Sequence, residues 1–145
     1  MKRFARFCGL PGTERTLLVQ ATFLLVLIRL ALRVLPFATV RNLLDRLART
    51  RSGLDDHASH DRIVWAVETA GRHFPAIGTC LTQALTTQVI LARRGYSSNL
   101  RIGVTRDSAG KFIAHAWLEK DGVILIGGAA HHNYTPMPAL NGLEP

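Results

Sequence analysis

The pair Asp121-Gly122 separates two short apolar runs, Phe112 to Lys120 and Val123 to Gly127. Asp-Gly is the preferred loop of a two-residue β-hairpin, because both central residues take positive φ and so match the twist of the strands they join. Upstream, Asn99 to Arg106 alternates Leu100, Ile102 and Val104 with Arg101, Gly103 and Thr105, the period of a half-buried strand. Asp107-Ser-Ala-Gly supplies the turn between that run and the next. A helix precedes the three strands: Thr79 is placed to cap it, it spans Cys80 to Arg94, and Gly95 ends it with two arginines in the last turn. One helix leading into a small antiparallel sheet makes the fold class α+β.

The N-terminal part reads as helix from Glu14 to about Arg49, broken once near Pro36. In its second piece Val40, Leu43, Leu44 and Leu47 recur at helical spacing, leaving Arg41, Asp45 and Arg46 for solvent. The polar stretch from Thr50 to His60 reads as a linker, and a third helix follows from about Asp61 to Ala70. Gly71-Arg-His-Phe-Pro then forces irregular chain, since Pro75 restricts Phe74 and cannot continue a helix. Two regions are expected: residues 1–58, helical and rich in arginine and leucine, and residues 59–145, the core that carries the chemistry.

The run Thr16 to Ile28 is apolar for 13 residues before Arg29 interrupts it, short of the roughly 20 needed to cross a bilayer. A helix packed on protein is the first reading, one lying on a membrane surface the second, and a span the third. The basic opening is followed by no small-residue cleavage site, so a cytoplasmic protein is expected, in contact with a membrane only through that helix. With a formal net charge of +8, the chain favours acidic peptides, anionic lipid or nucleic acid as partners. No stacking aromatics interleave the arginines and no zinc-finger spacing occurs, which argues against nucleic acid. Nothing in the sequence calls for a cofactor or a metal: His131 and His132 are adjacent and point apart in extended chain.

Of the two cysteines, Cys8 lies among Lys2, Arg3 and Arg6, and Cys80 opens a helix. Free thiols are expected of both. The unpaired N–H groups of a helix start favour a thiolate, although a lone cysteine there is also common as core filler. His115 lies on the middle strand, on the face it shares with Ile113, Trp117 and Glu119. A thiol at a helix start packed on a strand that bears an imidazole is the arrangement a Cys–His nucleophile requires. Trp117 serves either as core or as the floor of a substrate groove.

Five sequence features occur together between Thr79 and about Gly128: C-L-x-x-A-L from Cys80, A-R-R-G at 92 to 95, I-G-V at 102 to 104, A-H-A-W-L-E at 114 to 119, and then Asp121-Gly122. In these the chain closely resembles the lasso peptide biosynthesis B2 proteins, of the transglutaminase-like, papain-related superfamily. Tyr134-Thr135-Pro136 and the arginine- and leucine-rich N-terminal part extend the likeness. The resemblance implies a papain-like fold, Cys80 as nucleophile, His115 as its base, and a cysteine endopeptidase that removes the leader from a ribosomally made lasso precursor peptide. It also implies a small leader-binding protein and an ATP-using cyclase as partners. The superfamily usually sets an aspartate across the hairpin from the histidine. Counting outward from Asp121-Gly122 instead pairs His115 with Gly128, so no carboxylate is there.

Glu119 stands four residues away on the strand, about 13 Å at about 3.3 Å per residue. Asn133 folding back, Asp107, a backbone carbonyl or a partner protein are the remaining sources of an orienting group. Thr79, Trp117 and Glu119 are expected to border the substrate. Two other functions stay open: a scaffold that delivers a peptide without cutting it, and an acyltransferase or transglutaminase that uses the same pair with an amine in place of water.

Overall fold

A computed structural model describes residues 11–50 and 59–138; Cys8, most of the expected linker and Pro145 lie outside them. The helices are α1 (Gly12–Val34), α2 (Phe37–Arg49), α3 (His60–His73) and α4 (Cys80–Arg93). The strands are β1 (Asn99–Arg106), β2 (Phe112–Lys120), β3 (Val123–Ile126) and β4 (Thr135–Pro136), with a 3-10 turn at Gly128–Asn133 before β4. They form an antiparallel sheet in the order β3-β2-β1-β4, so the α+β class stands.

α1 ends where the sequence demands: Leu35 is extended ahead of Pro36, with ψ at 149°, and its N–H closes the last turn on Ala31. Leu17, Leu18, Ala21, Leu24, Leu25 and Ile28 form its buried stripe, and this stripe packs on α3 and α4. Arg62 of α3 reaches Glu14 at 3.4 Å. A single core cluster runs from Leu17 through α2, α3 and α4 to Ile126, joining helices on both sides of residues 51–58.

α4 is the centre of that core. Thr82 and every residue from Ala84 to Leu91 are buried, and the helix contacts all three others as well as the sheet. Two of its buried polar side chains find local partners, while the Thr86 hydroxyl has none among the described residues. Thr87 Oγ1 donates to the Gln83 carbonyl at 2.9 Å, and Gln88 Nε2 donates to the Ser98 carbonyl at 3.2 Å, as burial requires.

The approach to α4 depends on two glycines. A β-carbon on Gly78 would stand 2.5 Å from both the Cα and the carbonyl oxygen of Gly71 at the end of α3. Only bare backbone lets the segment after α3 fold this tightly onto it. Gln83 Nε2 donates to the Gly78 carbonyl at 2.6 Å, and the Thr82 hydroxyl bonds back to Ile77, fastening the same segment from the other side.

β1 and β2 occupy the residues their alternation predicts, and Asp121 and Gly122 both take positive φ, 51° and 78°. The expected register on the other side of β2 shifts. Lys120 pairs with Val123 and Glu119 with Ile124, but Leu118 pairs with Ile126, the irregularity falling between Leu118 and Glu119. This bulge leaves Leu125 over, so a direct count falls one residue short along β3. β3 stops at Ile126 because Gly127, with φ at 82°, turns the chain. The tail, read from the sequence as irregular, contributes the fourth strand. To reach β1 from β3 it must cross β2, and it does so over the face of Trp117, where Tyr134 settles against Gly103.

Gly78→Ala should therefore lower stability by about 1–3 kcal/mol, the usual range for forcing atoms into a filled site. Gly12→Ala, at a helical site where nothing lies within 4 Å, should be neutral or slightly stabilising. Urea denaturation of the two variants and the parent measures the contrast, and equal midpoints for both variants would refute this account of the Gly71–Gly78 approach.

Candidate active site

Thr79 caps α4. Its Oγ1 accepts from the Thr82 N–H at 3.4 Å and lies 3.0 Å from the Thr82 hydroxyl, so the side chain expected to border the substrate is engaged within the helix start. Among the described residues, the N–H groups of Cys80 and Leu81 have no hydrogen-bond partner. They are first-turn donors that no carbonyl within the helix can satisfy. Cys80 itself is half-buried, packs against the core and is a free thiol.

α4 leads into β1 through residues 94–98, so its start lies toward the far end of that strand. Fourteen helical residues span about 21 Å at about 1.5 Å each, and the helix packs on β2, the strand that carries His115. Ala116 and Leu118 belong to the helix-facing core. Period two therefore puts His115 and Trp117 on the alternate face. No hydrogen bond joins the Cys80 sulfur to the imidazole among the described residues.

The ring is nonetheless fixed. His115 Nε2 lies 2.7 Å from the Gly127 carbonyl oxygen. A carbonyl can only accept, so Nε2 carries the hydrogen, and in the neutral ring Nδ1 keeps its lone pair. Two aromatic rings flank the imidazole: Trp117 stacks with centroids 6.2 Å apart, and Tyr134 lies at 5.0 Å. Trp117 is only 4% exposed although it stands outside the helix-facing cluster. Gly103 makes room for both rings, since a β-carbon there would lie 2.8 Å from Tyr134 and 2.9 Å from Trp117.

Glu119, expected to border the substrate, pairs with Arg101 at 2.7 Å across the sheet and is half-buried. The pairing is diagonal, because Asn99 is directly opposite Glu119 and Arg101 opposite Trp117. Asn133 ends the 3-10 turn with its side chain exposed, and the bond to Nε2 comes from Gly127. Tyr134, legible in the sequence only as part of Tyr-Thr-Pro, is the neighbour that residue-by-residue reasoning missed.

What the arrangement offers chemically is a thiol at an open helix start, two donors beside it for a developing oxyanion, and on the sheet that packs against this helix a histidine held in one tautomer. The family model described as the transglutaminase-like superfamily matches residues 23–139, which take in both Cys80 and His115. No match is found among curated proteins or among solved structures.

The tautomer is directly measurable. In histidine-labelled protein above the imidazole titration, the nitrogen shifts of His115 should show a protonated Nε2 and an unprotonated Nδ1. The reverse pattern would mean that the Gly127 carbonyl does not hold the ring.

Proposed function

The chain belongs to the transglutaminase-like superfamily, and from that membership we propose that it is a cysteine endopeptidase acting through Cys80 and His115. The observation that carries the proposal is the helix-start thiol with two unsatisfied N–H groups, within a family match that also spans the oriented histidine. Nδ1 takes the thiol proton, and the sulfur attacks the peptide carbonyl carbon. The N–H groups of Cys80 and Leu81 receive the oxyanion. As the tetrahedral intermediate collapses, the C–N bond breaks and the imidazolium gives its proton to the departing amine. Water then loses a proton to Nδ1, attacks the thioester and releases the acid, restoring the thiol.

The transfer needs Nδ1, on the sheet face that α4 does not cover, to come within hydrogen-bond reach of the sulfur. The 2.7 Å bond to Gly127 fixes which nitrogen makes it. Trp117 and Tyr134 flank the ring and restrict water around it.

The substrate we infer is the precursor of a lasso peptide, cut at the end of its leader. This reading is supported by the likeness of C-L-x-x-A-L at Cys80, A-R-R-G at 92 to 95 and A-H-A-W-L-E at 114 to 119 to the lasso B2 proteins. A small leader-binding protein would present the precursor, and an ATP-using cyclase would receive the trimmed peptide.

Cys80→Ala should abolish cleavage of the precursor while leaving the fold and peptide binding intact, read by mass spectrometry and circular dichroism. Equal processing by parent and variant would defeat the proposal. A product carrying an added amine in place of water would assign the same pair to acyl transfer. Independently, in a Cys8→Ser background, alkylation of Cys80 at neutral pH should slow about tenfold on His115→Ala, as loss of a working base requires; an unchanged rate would separate the two residues and favour a scaffold.

A further inference from the structure

Helix α1 has two apolar faces, and the fold uses one. Opposite the stripe that packs on α3 and α4, the side chains of Val19, Phe23, Val26, Leu27, Leu30 and Val34 are exposed, Phe23 by 66% and Val34 by 80%. They form a continuous strip along four turns of a 23-residue helix. So long an unbroken apolar strip exceeds the scattered exposure that a solvated surface carries and marks a contact.

The border of the strip identifies its partner. Arg15 and Arg33 are five turns apart at about 3.6 residues per turn, so they fall on one line along its edge, and Arg29 stands one turn before Arg33 on the same side. The only acidic residue of α1 is Glu14, which is turned to Arg62. On α2, burial raises the Asp45 carboxyl above its ordinary value against the lowering pull of Arg41 and Arg49; those two arginines are engaged there and are not counted in the border.

We propose that the exposed strip of α1 beds into the surface layer of an anionic lipid bilayer, with Arg15 and Arg33 at the headgroups and the rest of the domain outside the membrane. An apolar face bordered by arginine and free of carboxylates is the composition of an interfacial helix. A second copy of this chain fits less well, since each copy carries a formal charge of +8 and docking would bring the basic borders together. Spanning is disfavoured by the other face: Leu17, Leu25 and Ile28 are fully buried in the packing of α1 on α3 and α4, and crossing the bilayer would strip that packing away. In the plane of the surface the same helix keeps both contacts.

The test is co-sedimentation of the full chain with vesicles of phosphatidylcholine and phosphatidylserine in equal parts, against vesicles of phosphatidylcholine alone. Binding should favour the anionic vesicles and weaken in high salt. It should fall about tenfold or more with Phe23→Gln and Leu30→Gln together, and about fivefold for each of Arg15→Gln and Arg33→Gln. All four positions are exposed in α1, and circular dichroism checks that the variants keep the parent fold. Alkaline carbonate should release the bound chain. Failure to bind either vesicle, binding indifferent to the Phe23 and Leu30 changes, or retention after carbonate would each overturn the proposal. So would a stable dimer whose contacts protect Phe23.

Discussion

The burial of α4 on every side is the constraint from which the rest of the structure follows. A helix that presents only side chains of a surface type can be covered on one stripe, whereas α4 sends Ala84, Leu85, Val89, Ile90 and Leu91 into protein all round. Covering it requires three helices and the sheet at once, which is why the N-terminal helices belong to the same core as the strands. Its start cannot be buried in the same way, because first-turn N–H groups lose too much when cut off from any partner. The one end of this helix left open to a ligand is therefore the end that carries Cys80.

Around that end the fold divides its tasks between layers. The segment after α3 is pinned to backbone by the Gly71–Gly78 approach and by Gln83 and Thr82, which sets the position of the thiol. The histidine is set independently, from the sheet and the chain that crosses it. Because the last strand lies at the opposite edge from β3, the connection has to pass over β2, bringing Gly127 and Tyr134 to the imidazole. The route that closes the sheet thus supplies the surroundings of the ring.

Much of this was legible in the residues. Alternation set β1 and β2, Asp121-Gly122 set the hairpin, Pro36 set the break between α1 and α2, and Thr79 set the start of α4, each through a local preference that acts within a few residues. What escaped was non-local. The bulge at Leu118 and Glu119 leaves no mark on the alternation, so no period shows it in advance. The two residues of β4 are too short to carry a pattern, so the tail looked irregular until its pairing with Gly103 and Val104 was seen. Glu119 was correctly too far along the strand to orient the ring, but its partner Arg101 is a diagonal neighbour that exists only once the register is fixed. The superfamily was readable from the motifs around Cys80 and His115; the peptide on which they would act has no counterpart in the fold.

Gly127 holds His115 with a main-chain atom, and this has a genetic consequence. A carboxylate or amide in that role could be deleted by one codon change, but every amino acid has a carbonyl, so no substitution at residue 127 removes the acceptor itself. Drift can affect the ring only by moving the backbone, through the turn at Gly127 or the path across the sheet. Selection on such a centre would therefore register as conservation of shape and of small residues, and a comparison that looks for a third polar side chain would pass over it.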